Sequence, residues 1–187
     1  MEESAKKPVN TAVGCLTMIA MLFVIVAIIS SCLGGKSSDK PDEAVAPLQL
    51  SEMTIEEYAP YLIKETIGEK SNTDKTSLIT VTVDDPGMIT LDLNASENFT
   101  KNTTRQSMLI KSPEIFGMAF ADRSELNSIT INWYLDLVDL RGNEKVGKVM
   151  TITFDRENAE TINWENINPE NIPLVADQYW EHSLFSK

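Results

Sequence analysis

The chain has 187 residues, 16 Lys and Arg against 28 Asp and Glu, a net charge of −12, and a single histidine, His182. That length holds one ordinary domain with something added. The acidic balance excludes a sequence-independent grip on nucleic acid and docking on anionic headgroups, both of which depend on Lys and Arg. One histidine excludes a multi-histidine metal centre, and both cysteines, Cys15 and Cys32, fall before residue 33, so no zinc ribbon or CxxC pair can form in the remainder. No metal and no cofactor are expected.

Residues 13–33 read VGCLTMIAMLFVIVAIISSCL, without one charged side chain. Counted from Thr11 to Leu33, the segment rises about 34 Å as a helix, enough to cross a hydrocarbon layer of about 30 Å with modest tilt. A single-pass membrane helix over 11–33, retained as a signal anchor, is the expectation. Within it, Ile29-Ser30-Ser31-Cys32 resembles the lipobox of bacterial lipoproteins. That resemblance implies cleavage before Cys32 and lipidation of its thiol, which would make 11–33 a signal peptide. Two features favour the uncleaved helix: Glu2 and Glu3 offset Lys6 and Lys7, and the apolar run exceeds the roughly 7 to 15 residues of a signal-peptide core. Lys6, Lys7 and the terminal amine precede the helix. Lys36 and Lys40 follow it among Asp39, Asp42 and Glu43. The positive-inside bias then places residues 1–10 in the cytoplasm and the main domain outside, and a cysteine-free outer domain fits a bacterial cell surface.

Residues 34–48, GGKSSDKPDEAVAPL, are small, polar and broken by proline, and read as a flexible tether. Gly34-Gly35-Lys36-Ser37 is not a P-loop, because position 30, where the motif requires Gly, is Ser30. Residues 49–187 hold 12 Lys and Arg against 23 Asp and Glu, so almost all the negative charge belongs to this domain.

Thr54-Ile55-Glu56-Glu57 is a capping box, and Ile55, Ala59, Leu62, Ile63 and Ile67 recur at helical spacing up to Gly68, with Pro60 interrupting. Ile79, Val81 and Val83 alternate with threonines. Asp84-Asp85-Pro86-Gly87 turns the chain, and Ile89, Leu91 and Leu93 alternate in turn, predicting a hairpin. Asn102-Thr103 with Gln106 predicts the cap of a second helix carrying Met108, Ser112, Ile115, Phe116 and Ala119, bent at Pro113. A second hairpin follows: Ile129, Ile131, Trp133, Leu135 and Leu137 share one face, Arg141-Gly142-Asn143 turns, and Val146, Met150, Ile152 and Phe154 return. Asn171-Ile172-Pro173 predicts a last short helix with Val175, Ala176, Tyr179 and Trp180. The expected fold is α+β: a two-layer domain with a four-stranded antiparallel sheet of two hairpins and about three helices on one face.

Four features invite a site. The polar sheet face would gather Thr80, Thr82, Thr90, Asp92, Thr130, Asn132, Tyr134, Asp136, Thr151 and Thr153. Asp92, Asn132, Tyr134 and Asp136 are the binding candidates there, although any solvated sheet looks similar. Asp92 and Asp136 could serve as acid and base of a glycosidase if their strands were neighbours at the right separation. Trp164, Tyr179, Trp180, His182 and Phe185 make the C-terminus aromatic, which burial of a terminal helix explains. Asn94, Asn98 and Asn102 head glycosylation sequons, but Asn, Ser and Thr also gather where a strand ends and a helix is capped. Around Asp136 and Asp139 the spacing is not that of an EF-hand, and His182 has no identifiable triad partners. The expected function is a membrane-tethered, non-catalytic binding or assembly module outside the cell. An envelope-glycan hydrolase using surface carboxylates and a structural subunit of a membrane complex are the alternatives, and a protein or envelope component is the expected partner.

Overall fold

The computed structural model describes residues 50–185. The expected membrane span, the tether and Cys32 lie outside the described residues. Among the described residues no helix is long and apolar enough to cross a membrane.

Helix α1 spans Ile55–Ile67. Its capping box forms as the sequence predicts: Glu57 N–H donates to Thr54 Oγ1 at 3.3 Å, and Thr54 N–H donates to Glu57 Oε2 at 3.0 Å. Pro60 lies inside the helix on an exposed position, where water can replace the hydrogen bond that proline cannot donate. Strands β1 (Leu78–Asp85) and β2 (Met88–Asn94) form the first hairpin around Pro86-Gly87, with Gly87 at φ +84°. Helix α2 covers Lys101–Asp122 and continues through Pro113. Its cap is Thr100, not the predicted Asn102-Thr103, because Thr100 and Thr103 satisfy each other's backbone N–H groups.

Strands β3 (Ser128–Val138) and β4 (Glu144–Asp155) form the second hairpin. Helix α3 (Arg156–Ala159), a 3-10 turn (Pro169–Asn171) and helix α4 (Ile172–Val175) follow, then β5 (Gln178–Glu181) and a final turn at Ser183–Phe185.

The sheet runs in the order β1-β2-β3-β4-β5. Two corrections to the expected four-stranded antiparallel sheet follow. First, β2 and β3 are parallel: the 22-residue α2, about 33 Å long, carries the chain back along the sheet, so β3 starts at the end where β2 started. The sheet is therefore mixed. Second, there is a fifth strand. The helix expected to carry Tyr179 and Trp180 stops at Val175, since Ala176 adopts φ −65°, ψ 145°, and the chain then pairs antiparallel with β4. Arg105 of α2 secures this strand, donating to Glu181 Oε2 at 2.6 Å and to Glu170 Oε2 at 3.0 Å.

The helices lie on one side of the sheet. Leu91, Leu93, Ile131, Trp133, Ile152 and Phe154 are fully buried there against Tyr58, Leu62, Met108, Leu109 and Phe116. The buried Trp133 indole donates to Ser112 Oγ at 3.1 Å, which in turn donates to Met108 O, so the core holds a polar nitrogen without stranding it. Phe116, Phe154 and Trp164 pack with centroids 4.9 to 5.8 Å apart. A bulge at Val149 breaks the alternation expected in β4: Met150 pairs with Trp133 but Lys148 with Tyr134. Val149 and Met150 are consequently both buried, while Val146 pairs with Asp136, away from the face of Met150.

Candidate binding face

The side of the sheet opposite the helices is built almost wholly from the polar residues of five strands. Its order comes from register. Thr80 pairs with Asp92, Asp92 with Asn132, Asn132 with Thr151, and Thr151 with Trp180, so one residue from each strand falls on a single line across the sheet. A second line, two residues along each strand, runs Thr82, Thr90, Thr130, Thr153 and Gln178. Paired residues in a sheet point to the same face, so these ten side chains form two adjacent rows.

Hydrogen bonds fix the centre of the first row. Asn132 Nδ2 donates to Asp92 Oδ1 at 2.9 Å, Tyr134 OH donates to Asp92 Oδ2 at 3.3 Å, and Thr151 Oγ1 donates to Asn132 Oδ1 at 2.8 Å. In the second row the hydroxyls of Thr130 and Thr153 share a bond of 2.9 Å, and Thr90 Oγ1 reaches Asp84 Oδ2 at 2.8 Å. Burial, reinforced by the Asp92 carboxylate it donates to, raises the Tyr134 phenol above its ordinary range, so it remains the donor. Asn132 is only 9% exposed, and its amide orientation is set by partners on both sides. The network leaves lone pairs on Asp92 and Thr151 and a second amide hydrogen on Asn132 for a ligand.

The structure thus brings together Asp92, Asn132 and Tyr134, and leaves Asp136 apart. Asp136 lies four residues beyond Asn132, the partner of Asp92, which is about 13 Å of strand rise. Glycosidase carboxylates stand about 5 to 9.5 Å apart. Lys75 Nζ pairs with Asp136, and Asn94 Nδ2 donates to Thr76 O at 2.8 Å, so the segment before β1 borders this end of the face. Among the described residues there is no group of three or more metal-ligating side chains.

The aromatic C-terminus divides between the two sides. Trp164 packs on Phe116 and Phe154, and Tyr179 OH reaches Glu181 on the helix side. Trp180 alone joins the polar face, 45% exposed, with the His182 ring edge-on to it at 6.3 Å. His182 Nδ1 accepts from Leu184 N–H at 3.0 Å. A helix over these residues would not bring Trp180 into line with Thr151, and no local signal marks the strand, because within 178–181 each side of it carries one aromatic and one polar residue. No family model, curated protein or solved structure matches this chain.

Proposed function

We propose that this chain is a non-catalytic binding module, held at the outer side of a bacterial cell membrane by residues 11–33, and that the open sheet face is its binding surface. The observation that carries the reading is the preset network of Tyr134, Asp92, Asn132 and Thr151 on the side of the sheet opposite the helices. Side chains already locked by one another lose little entropy when a ligand docks. A role without chemistry is supported by the separate engagement of Asp92 and Asp136, each tied to different partners.

The test places a photo-crosslinking residue at Thr80 or Gln178, at the two edges of the face, in the full chain in intact cells. The same residue at Glu114, exposed on α2, is the control. Adducts with an envelope component confined to Thr80 and Gln178 are the expected result, and equal labelling from Glu114, or none from the face, overturns the reading. The mass of the mature N-terminus separates a retained Met1 from a lipidated Cys32.

A further inference from the structure

We propose that the open face binds a single neutral β-linked glycan chain laid across the strands, with Trp180 stacked on one sugar ring and Thr151, Asn132 and Asp92 reading the hydroxyls of the next rings. The inference rests on the binding-module reading and names the ligand class of that same face.

Spacing is the first argument. The row from Trp180 to Asp92 offers one side chain per strand, and neighbouring strands lie about 4.8 Å apart. A β-1,4-linked hexose advances by nearly the same step, so polymer and row stay in phase over several rings. The second row of Thr90, Thr130 and Thr153 lies about 7 Å away along the strands, which makes the platform as wide as a ring.

Chemistry is the second. The pyranose ring has an apolar C–H face and a rim of hydroxyls that both donate and accept. The half-exposed indole of Trp180, steadied by the edge of His182, suits the former. Carboxylate, amide and hydroxyl in succession suit the latter, because the first only accepts while the other two do both.

Charge and shape exclude competitors. A polyanionic wall polymer would meet Asp92 on a chain of net charge −12. Packing of a partner protein's sheet requires a continuous apolar layer between the sheets, whereas in the two central rows Trp180 is the only large apolar side chain and the exposed Met88, Val138 and Val146 stand apart at the strand ends of this face. A flat crystalline surface is also a poor match, since each strand turns by roughly 20 to 25° from the last. A single glycan chain follows that twist by rotating at each glycosidic bond.

The test is isothermal titration of the full chain, reconstituted in nanodiscs, with chitohexaose, with cellohexaose and, as the anionic counterpart, with hyaluronan hexasaccharide. Saturable binding of a neutral hexasaccharide is expected. It should weaken about ten-fold or more in Trp180→Ala, recover in Trp180→Phe, and weaken similarly in Asp92→Ala. Because Trp180 is half exposed, both of its variants should retain the thermal midpoint of the parent chain. Failure of both neutral sugars to bind, preference for hyaluronan, or binding unchanged in Trp180→Ala each overturns the proposal. If the sugars fail while crosslinking at Thr80 and Gln178 still captures a protein, the glycan inference falls and the binding module stands. If crosslinking fails too, both fall.

Discussion

Arg156 ties the C-terminal end of α2 to the connection that leads into β3. Its guanidinium donates to Leu126 O at 2.6 Å, to Arg123 O at 2.6 Å and to Phe120 O at 3.3 Å, and stands 5.1 Å from the centre of the Phe120 ring. Helix ends leave carbonyls without partners, and the planar fork of donors answers Phe120 O in the last turn and Arg123 O at the cap while reaching Leu126 O in the connection to β3. Hydrogen bonds from charged donors contribute about 1.5 to 3 kcal/mol each and do not add fully, so Arg156→Met should lower the free energy of unfolding in urea by about 3 kcal/mol. Arg156→Lys, which cannot fork, should recover less than half of that loss. Tyr58 makes a second residue-level case. Burial and the nearby Asp122 carboxylate, which accepts from its hydroxyl at 3.0 Å, raise its phenol well above the ordinary value of 10.0. The folded state thus retains a proton that the unfolded chain releases, so the contribution is complete below about pH 10 and falls as pH rises toward the folded value. Denaturation at pH 8 and pH 11 should show parent-chain stability falling more steeply than that of Tyr58→Phe. Equal slopes would remove Tyr58 from the alkaline response.

At the scale of elements, the two hairpin glycines have the same backbone and different surroundings. Gly87 and Gly142 sit at φ +84° and +83°. A Cβ on Gly87 would come within 2.5 Å of Glu125 O, a backbone atom that cannot swing aside, whereas nothing lies within 4 Å of one on Gly142. Gly142→Ala should therefore cost only the left-handed strain, about 1 kcal/mol. Gly87→Ala should cost about 3 kcal/mol or more, because it also displaces the connection where Gly87 O accepts from Asn127 and Ser128. Thermal unfolding of the pair separates the two costs, and similar losses would mean that the β2–β3 connection yields easily. Both turns are legible in the sequence, as are α1 with its capping box and the alternation of β1 to β3, because each signal lies within a few residues of its cause. β5 is not legible. Four residues holding Tyr179 and Trp180 fit either period, and what makes them a strand is the open edge of β4 and the distant Arg105. The Val149 bulge is hidden for a similar reason, since two adjacent apolar residues in β4 fit either face until β3 sets the register. The parallel pairing of β2 with β3 depends on the length of α2, which the two hairpins viewed separately do not contain.

For the whole molecule, the candidate face was half legible. The parity of the strands put Asp92, Asn132, Tyr134 and Thr151 on one side, but their line across the sheet depends on strand order, and so does the separation of Asp136. Trp180 enters only with the fifth strand. Charge is the property of the whole that composition states outright, and residues 45–187, which form one compact unit, carry nearly all of it. Two electrostatic effects oppose each other there. Self-repulsion of the net negative charge acts over distances comparable with a Debye length of about 10 Å at 0.1 M salt. The ion pairs Lys64–Glu69, Lys70–Asp74 and Arg156–Glu160 are long, at 3.5 to 3.6 Å, with at least one partner well exposed, and such pairs contribute about 0 to 1 kcal/mol. Arg105 with Glu181 is more sheltered and correspondingly less screened. Salt should therefore remove more repulsion than attraction. A fragment of residues 45–187 is expected to unfold in one cooperative transition, with a thermal midpoint that rises by a few degrees between about 20 mM and about 200 mM sodium chloride. A falling midpoint would mean that the ion pairs outweigh the excess negative charge of the domain.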